Sequence, residues 1–97
     1  MKPTKSYFIV MYDISDSKRL RHVAKITGKY LNRVLYSVFE GELTDKQLFN
    51  LQQEIKNHIM LEDDSVIYFK LCPECVTKIH TRGRRIPVQL DKDFIVV

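Results

Sequence analysis

A single α+β domain over residues 1–97, a ferredoxin-like βαββαβ sandwich, is predicted by three observations. Six apolar and aromatic residues in a row, Tyr7-Phe8-Ile9-Val10-Met11-Tyr12, read as a strand buried on both faces. Two later segments carry apolar residues at three- and four-residue steps, the spacing of a helix with one buried stripe. Ser65-Val66-Ile67-Tyr68-Phe69-Lys70-Leu71 then supplies a closing strand behind a polar turn.

The first strand covers Ser6 to Tyr12 and ends on a carboxylate, Asp13. Ser15 or Asp16 can cap the helix that follows, because a short polar side chain there accepts from the free amides of the first turn. Leu20, Val23, Ala24, Thr27 and Leu31 form its buried stripe, and Lys18, Arg21, His22, Lys25 and Lys29 form a basic stripe on another face. Asn32 is expected to close this helix in the left-handed conformation. The stretch from Arg33 to Leu43 is rich in β-branched and aromatic residues and reads as one bent strand or as two strands joined near Ser37, with Gly41 permitting a bulge.

Thr44-Asp45-Lys46-Gln47 has the capping-box pattern, and Leu48, Leu51, Ile55 and Ile59 supply the core stripe of the helix it opens. Glu62-Asp63-Asp64 is read as a polar turn. After the strand to Leu71, Cys72-Pro73-Glu74-Cys75 interrupts the sheet, since proline cannot continue a sheet interior. Val76 to Arg82 fits either a short helix or a strand, Gly83-Arg84-Arg85 is a basic turn, and Phe94-Ile95-Val96-Val97 is a last strand. That extra strand lies beyond the βαββαβ unit, and open sheet edges attract pairing. Its expected place is docked on, or exchanged with, a second copy in a two-fold homodimer.

The chain is 44% hydrophobic with ten Phe and Tyr residues, which excludes a disordered tail. Sixteen Lys and Arg against 12 Asp and Glu give a net charge of +4, a balance that favours an anionic partner such as DNA or RNA. No apolar run approaches the roughly 20 residues of a membrane span, so no membrane partner is expected. The N-terminus has no signal-peptide pattern, and two cysteines without one suggest reduced thiols and a cytoplasmic location.

Asp13 is the first candidate for chemistry. A carboxylate at the end of a rigid core strand, with Lys18, Arg19 and Arg21 close behind it, suits a Mg²⁺ ion near a phosphate. Mg²⁺, or Mn²⁺ in its place, takes hard oxygen ligands and keeps several waters, so two such carboxylates across a dimer axis suffice. Asp16 is explained by capping. Lys18, Arg19, Arg21, Arg33 and the Arg84-Arg85 turn are candidates for phosphate contact, which gives salt-sensitive affinity without sequence readout. Cys72 and Cys75 make only half of a zinc motif and read as two free thiols in a turn.

Phe8-Ile9-Val10-Met11-Tyr12-Asp13-Ile14-Ser15-Asp16, followed at a fixed separation by Arg33-Val34-Leu35-Tyr36-Ser37-Val38-Phe39-Glu40-Gly41-Glu42-Leu43, resembles the CRISPR-associated protein 2 family. The resemblance runs from Tyr7 to Val97. It implies a ferredoxin-like homodimer whose first-strand aspartates face each other, and metal-dependent endonuclease activity on single-stranded RNA, double-stranded DNA or both. Asp13 matches the family's metal aspartate, Tyr12 precedes it as in the family, and Arg33 and Phe39 match positions bordering the same cleft. The family often has glycine before the second strand where this chain has Tyr30-Leu31-Asn32, and often Gln where it has Leu35. The implied setting is CRISPR adaptation beside the CRISPR integrase subunits. Two other functions are compatible with the same residues: a non-catalytic DNA-binding scaffold dimer that bridges integrase subunits, and a toxin-type ribonuclease of this topology.

Overall fold

The computed structural model describes residues 4–83 and 95–96. Lys5–Asp13 forms β1, Ser17–Tyr30 α1, Asn32–Leu35 β2, Val38–Thr44 β3, Asp45–Lys56 α2 and Ser65–Leu71 β4. The order is the expected βαββαβ. The four strands make one antiparallel sheet in the order β2-β3-β1-β4, so β1 runs through its interior. Met11 stands opposite Val38 on one side and Ile67 on the other, and Asp13 stands opposite Ser65.

Alternation along β1 sorts the sheet into two faces. Phe8, Val10 and Tyr12 point to the helix side and join Phe39, Leu43, Val23, Ile26, Leu51 and Ile55 in the core. Leu51 and Val10 are fully enclosed, and truncating Leu51 to alanine would cost about 2–5 kcal/mol through reduced burial and the cavity left behind. Ile9, Met11 and Asp13 share the other face with Ile67 and Phe69 by register. Ile67 is 47% and Phe69 42% exposed, which is high for such residues in the middle of a strand.

The helices begin as expected. Asp16 caps α1 by accepting from the Arg19 amide at 2.9 Å. Both halves of the capping box at Thr44 and Gln47 are present, at 2.8 and 3.1 Å. The end of α1 differs from expectation. Leu31 is its C-cap, in extended backbone, and Asn32 starts β2 directly, because the Leu31 amide still donates to the Thr27 carbonyl at 2.9 Å and leaves no need for a left-handed cap.

The segment from Arg33 to Leu43 resolves into two strands turning at Tyr36-Ser37. The irregularity falls in β2, where the register shifts between Arg33 and Leu35. Gly41 lies in β3 for lack of space: a Cβ there would come within 3.1 Å of the Leu31 side chain. After β4, Pro73–Val76 makes one turn of helix, α3, and His80–Thr81 makes β5, so Val76 to Arg82 contains both of the alternatives. Ile95–Val96 forms β6 and pairs in parallel with β5. Phe94, Val97 and the basic pair Arg84 and Arg85 lie outside the described residues.

Candidate functional site

Asp13 is the last residue of β1 and is exposed. Among the described residues its side chain has no hydrogen-bond or ion-pair partner. Its position is nevertheless rigid, because Tyr7 to Met11 before it are laddered to strands on both sides.

Tyr12 is buried and ties the β2–β3 turn to the end of β1. Its amide donates to the Ser37 carbonyl at 3.1 Å and its hydroxyl to the Tyr36 carbonyl at 3.4 Å. Burial pushes the phenol above its ordinary pKa, against a hydrogen bond and positive charge from Arg33, so the ring stays neutral at physiological pH. The Arg33 guanidinium carbon lies 5.3 Å from the Phe39 ring centre and 5.6 Å from that of Tyr36, within range for cation–π attraction to both. Tyr12 and Phe39 stack at 6.0 Å with a 30° tilt. Tyr12, Arg33 and Phe39 therefore form one cluster behind the strand end that carries Asp13. Tyr36 joins it and is 85% exposed.

A second carboxylate, Asp64, stands just before Ser65, the register partner of Asp13. Its side chain is fully enclosed and collects five donors. The Ser15 amide and hydroxyl donate at 3.0 and 3.1 Å, Arg19 through Nε at 2.9 Å and Nη2 at 3.1 Å, and the Met60 amide at 2.9 Å. Arg19 beside it, helped by the Met60 and Ser15 donors, holds this carboxyl far below the usual carboxylate range. The fork fixes the loop from Ile14 to Asp16 immediately after Asp13.

The expected phosphate contacts separate accordingly. The Arg19 guanidinium is occupied inside the fold by Asp64 and the Ser15 hydroxyl, so it is not presented to solvent as a free cation. Lys18, Arg21 and Lys25 are exposed on α1 and have no carboxylate partner among the described residues. Lys29 pairs with Glu54 at 2.6 Å, and the His22 ring meets His58 edge-on at 5.1 Å. The role of Asp64 is not legible in its local sequence, where three acidic residues in a row look like a solvated turn. Its partner lies 45 residues away, and nothing in the spacing announces it.

Whether a divalent cation fits here depends on the oxygens left free. No group of three or more His, Cys, Asp or Glu side chains gathers among the described residues. Asp16 is occupied as a cap and Asp64 by five donors, which leaves Asp13 as the free carboxylate of the three. One hard oxygen ligand on a rigid, solvent-open strand end fits half of a Mg²⁺ site completed by waters and a second carboxylate.

Comparison with known proteins agrees with this architecture. The family model described as CRISPR associated protein Cas2 matches residues 6–79. A CRISPR-associated endoribonuclease Cas2 of Fusobacterium nucleatum is 43% identical over 70 residues, 68% of this chain and 66% of that protein. One of Thermotoga maritima is 35% identical over 77 residues, 79% of this chain and 87% of that one. The crystal structure of Streptococcus pyogenes Cas2 at pH 6.5 superimposes with a TM-score of 0.72 at 30% identity, covering 79% of this chain and 99% of that chain. With its sheet order, its strand-end aspartate and these matches, the chain belongs to the CRISPR associated protein Cas2 family.

Proposed function

We propose that this protein is a metal-dependent endonuclease of CRISPR adaptation that works as a homodimer, with Asp13 of each subunit holding one shared Mg²⁺ (or Mn²⁺) ion. Single-stranded RNA is the first substrate to test, because the relatives carry the name endoribonuclease; double-stranded DNA is the second. The observation that carries the reading is Asp13 itself, exposed and unpartnered among the described residues at the end of an interior strand. A second copy is the source of the missing carboxylate. Asp13 shares its sheet face with Ile9 and Met11, beside the exposed Ile67 and Phe69, so joining two copies through that apolar face brings both Asp13 residues to the same interface.

When bound, the cation supplies Lewis-acid polarisation of the phosphodiester and a more acidic water. The chain's own residues do the rest. Asp13 carries the negative charge that retains the ion. Tyr12 holds the β2–β3 turn against β1 and so acts in positioning. Arg33, backed by Phe39 and Tyr36, offers a fixed positive charge for a phosphate, and Lys18 and Arg21 extend that charge along α1. The decisive comparison is Mg²⁺-stimulated cleavage by wild type and by Asp13→Ala, each verified as folded and dimeric. Loss of cleavage in the variant supports the reading; a wild-type protein that cleaves neither RNA nor DNA with Mg²⁺ or Mn²⁺ refutes it.

A second reading rests on the free cations of α1, which do not depend on Asp13. In it the dimer is a scaffold that holds a DNA duplex between CRISPR integrase subunits, and Asp13→Ala still supports spacer integration while charge reversal at Lys18 and Arg21 does not.

A further inference from the structure

The two cysteines of the chain stand at the opposite end of β4 from Asp13 and play no part in the nuclease reading. Cys72 follows Leu71 and is the N-cap of α3, with Pro73 in the first turn setting the backbone for a helix. Residues three apart in one helical turn have Cα atoms on the order of 5 Å apart, inside the range that a disulfide spans. Here the turn brings the two sulfurs to 3.1 Å, and the Cys75 amide donates to the Cys72 sulfur at 3.3 Å. Both residues are exposed.

Tetrahedral zinc with Zn–S bonds of about 2.3 Å would hold its sulfurs about 3.8 Å apart, and no third ligand gathers near the pair among the described residues. With the two sulfurs in contact and no third ligand among the described residues, the pair is set for sulfur–sulfur chemistry. The two thiols are also unequal. The hydrogen bond shared between the two thiols, together with the Cys75 amide donating to the Cys72 sulfur, holds Cys72 below the ordinary thiol pKa, and the same shared contact raises Cys75.

We infer that Cys72 and Cys75 form a thiol–disulfide exchange site that reacts with small disulfides such as glutathione disulfide, Cys72 attacking and Cys75 resolving. The Cys72 thiolate attacks one sulfur of glutathione disulfide, whose S–S bond breaks and releases a glutathione thiolate. Cys75, losing its proton to solvent, then attacks the Cys72 sulfur of the mixed disulfide and expels the second glutathione thiolate. The protein gives up two electrons and two protons, and one disulfide becomes two thiols. The closed ring spans only four residues and lies on the surface, so the protein disulfide is readily reduced again.

The test equilibrates the full-length protein in graded mixtures of reduced and oxidised glutathione, quenches with an alkylating agent and reads intact mass. The expected result is one two-electron transition in which both thiols vanish together, with loss of two hydrogens and no change in oligomeric state. Cys75→Ser should accumulate a stable glutathione adduct on Cys72, and Cys72→Ser should react roughly tenfold more slowly. Circular dichroism checks that both variants are folded. Thiols that stay alkylatable at every ratio, disulfides found only between chains, or a zinc ion that must be chelated before the thiols react would each overturn the inference. Nuclease activity is measured in parallel on oxidised and reduced protein, and its absence leaves the redox result unaffected.

Discussion

Two aspartates meet at the same end of the β1–β4 pair and have opposite surroundings. Asp13 closes β1, opposite Ser65; Asp64 immediately precedes Ser65. Asp64 is enclosed and saturated by five donors from Ser15, Arg19 and Met60, and Asp13 is exposed with no side-chain partner among the described residues. A saturated carboxylate has no lone pair to offer a cation, and a free one on a rigid strand does. The two carboxylates differ in commitment: Asp64 uses its charge to fix the loop behind Asp13, while Asp13 keeps its oxygens free, as the ion proposed above requires.

The largest effect is expected from removing the free member. Asp13→Ala should lower metal-stimulated cleavage by about a hundredfold or more, because the ion loses its anionic anchor, while the thermal midpoint stays close to wild type. Steady-state cleavage beside a melting curve checks this. A variant that melts early would instead make Asp13 a second structural carboxylate and erase the contrast.

Removing the saturated member should do the reverse in kind. Asp64→Ala leaves Arg19, the Ser15 amide and the Met60 amide without their acceptor and is expected to give the greatest drop in thermal stability among these variants. The pH dependence has a definite sign. The folded carboxyl is held below its unfolded value of about 3.9, so its contribution is present above that pH and disappears as pH falls through the lower folded value. Asp64→Asn should therefore unfold more easily at neutral pH and show a flatter acid limb than wild type, read from melting curves between neutral and strongly acidic pH.

Smaller effects are expected from changes around Asp13. Arg33→Ala removes a guanidinium that sits against Tyr36 and Phe39, and should cost about 1–2 kcal/mol of stability as well as substrate affinity. Arg33→Lys should recover the charge but only part of the packing. Smallest per residue are Lys18→Glu and Arg21→Glu. Each should leave the fold intact and lower the slope of log affinity against log salt by about one for every phosphate the side chain neutralises. Arg19→Glu, by contrast, should register first as instability, because its partner is Asp64. If Arg19→Glu weakens binding at unchanged stability, its guanidinium is a phosphate ligand after all.

Much of this is legible along the chain. The run from Tyr7 to Tyr12 announces an interior strand, and Thr44 with Gln47 announces the start of α2; both signals are local and periodic. The same holds for Asp16, whose capping role needs only the three residues after it. Cys72 and Cys75 are visible as a pair but read only as two free thiols in a turn, since sequence gives their spacing and not the 3.1 Å between their sulfurs.

Local patterning, then, announced β1, α1, α2 and β4 in their order and pointed to Asp13 at a strand end, because strand and helix periodicities are properties of neighbouring residues. It left open whether Arg33 to Leu43 is one strand or two and whether Val76 to Arg82 is helix or strand. Tertiary structure alone decided which charges remain free. In sequence Arg19 looks like a phosphate contact and Asp64 like a solvated turn; folding brings them together across 45 residues, and burial of one member makes the pair a brace. An ion pair of that kind leaves no periodic trace, since it depends on where the first turn of α1 meets the loop before β4 once β1 and β4 have found their register.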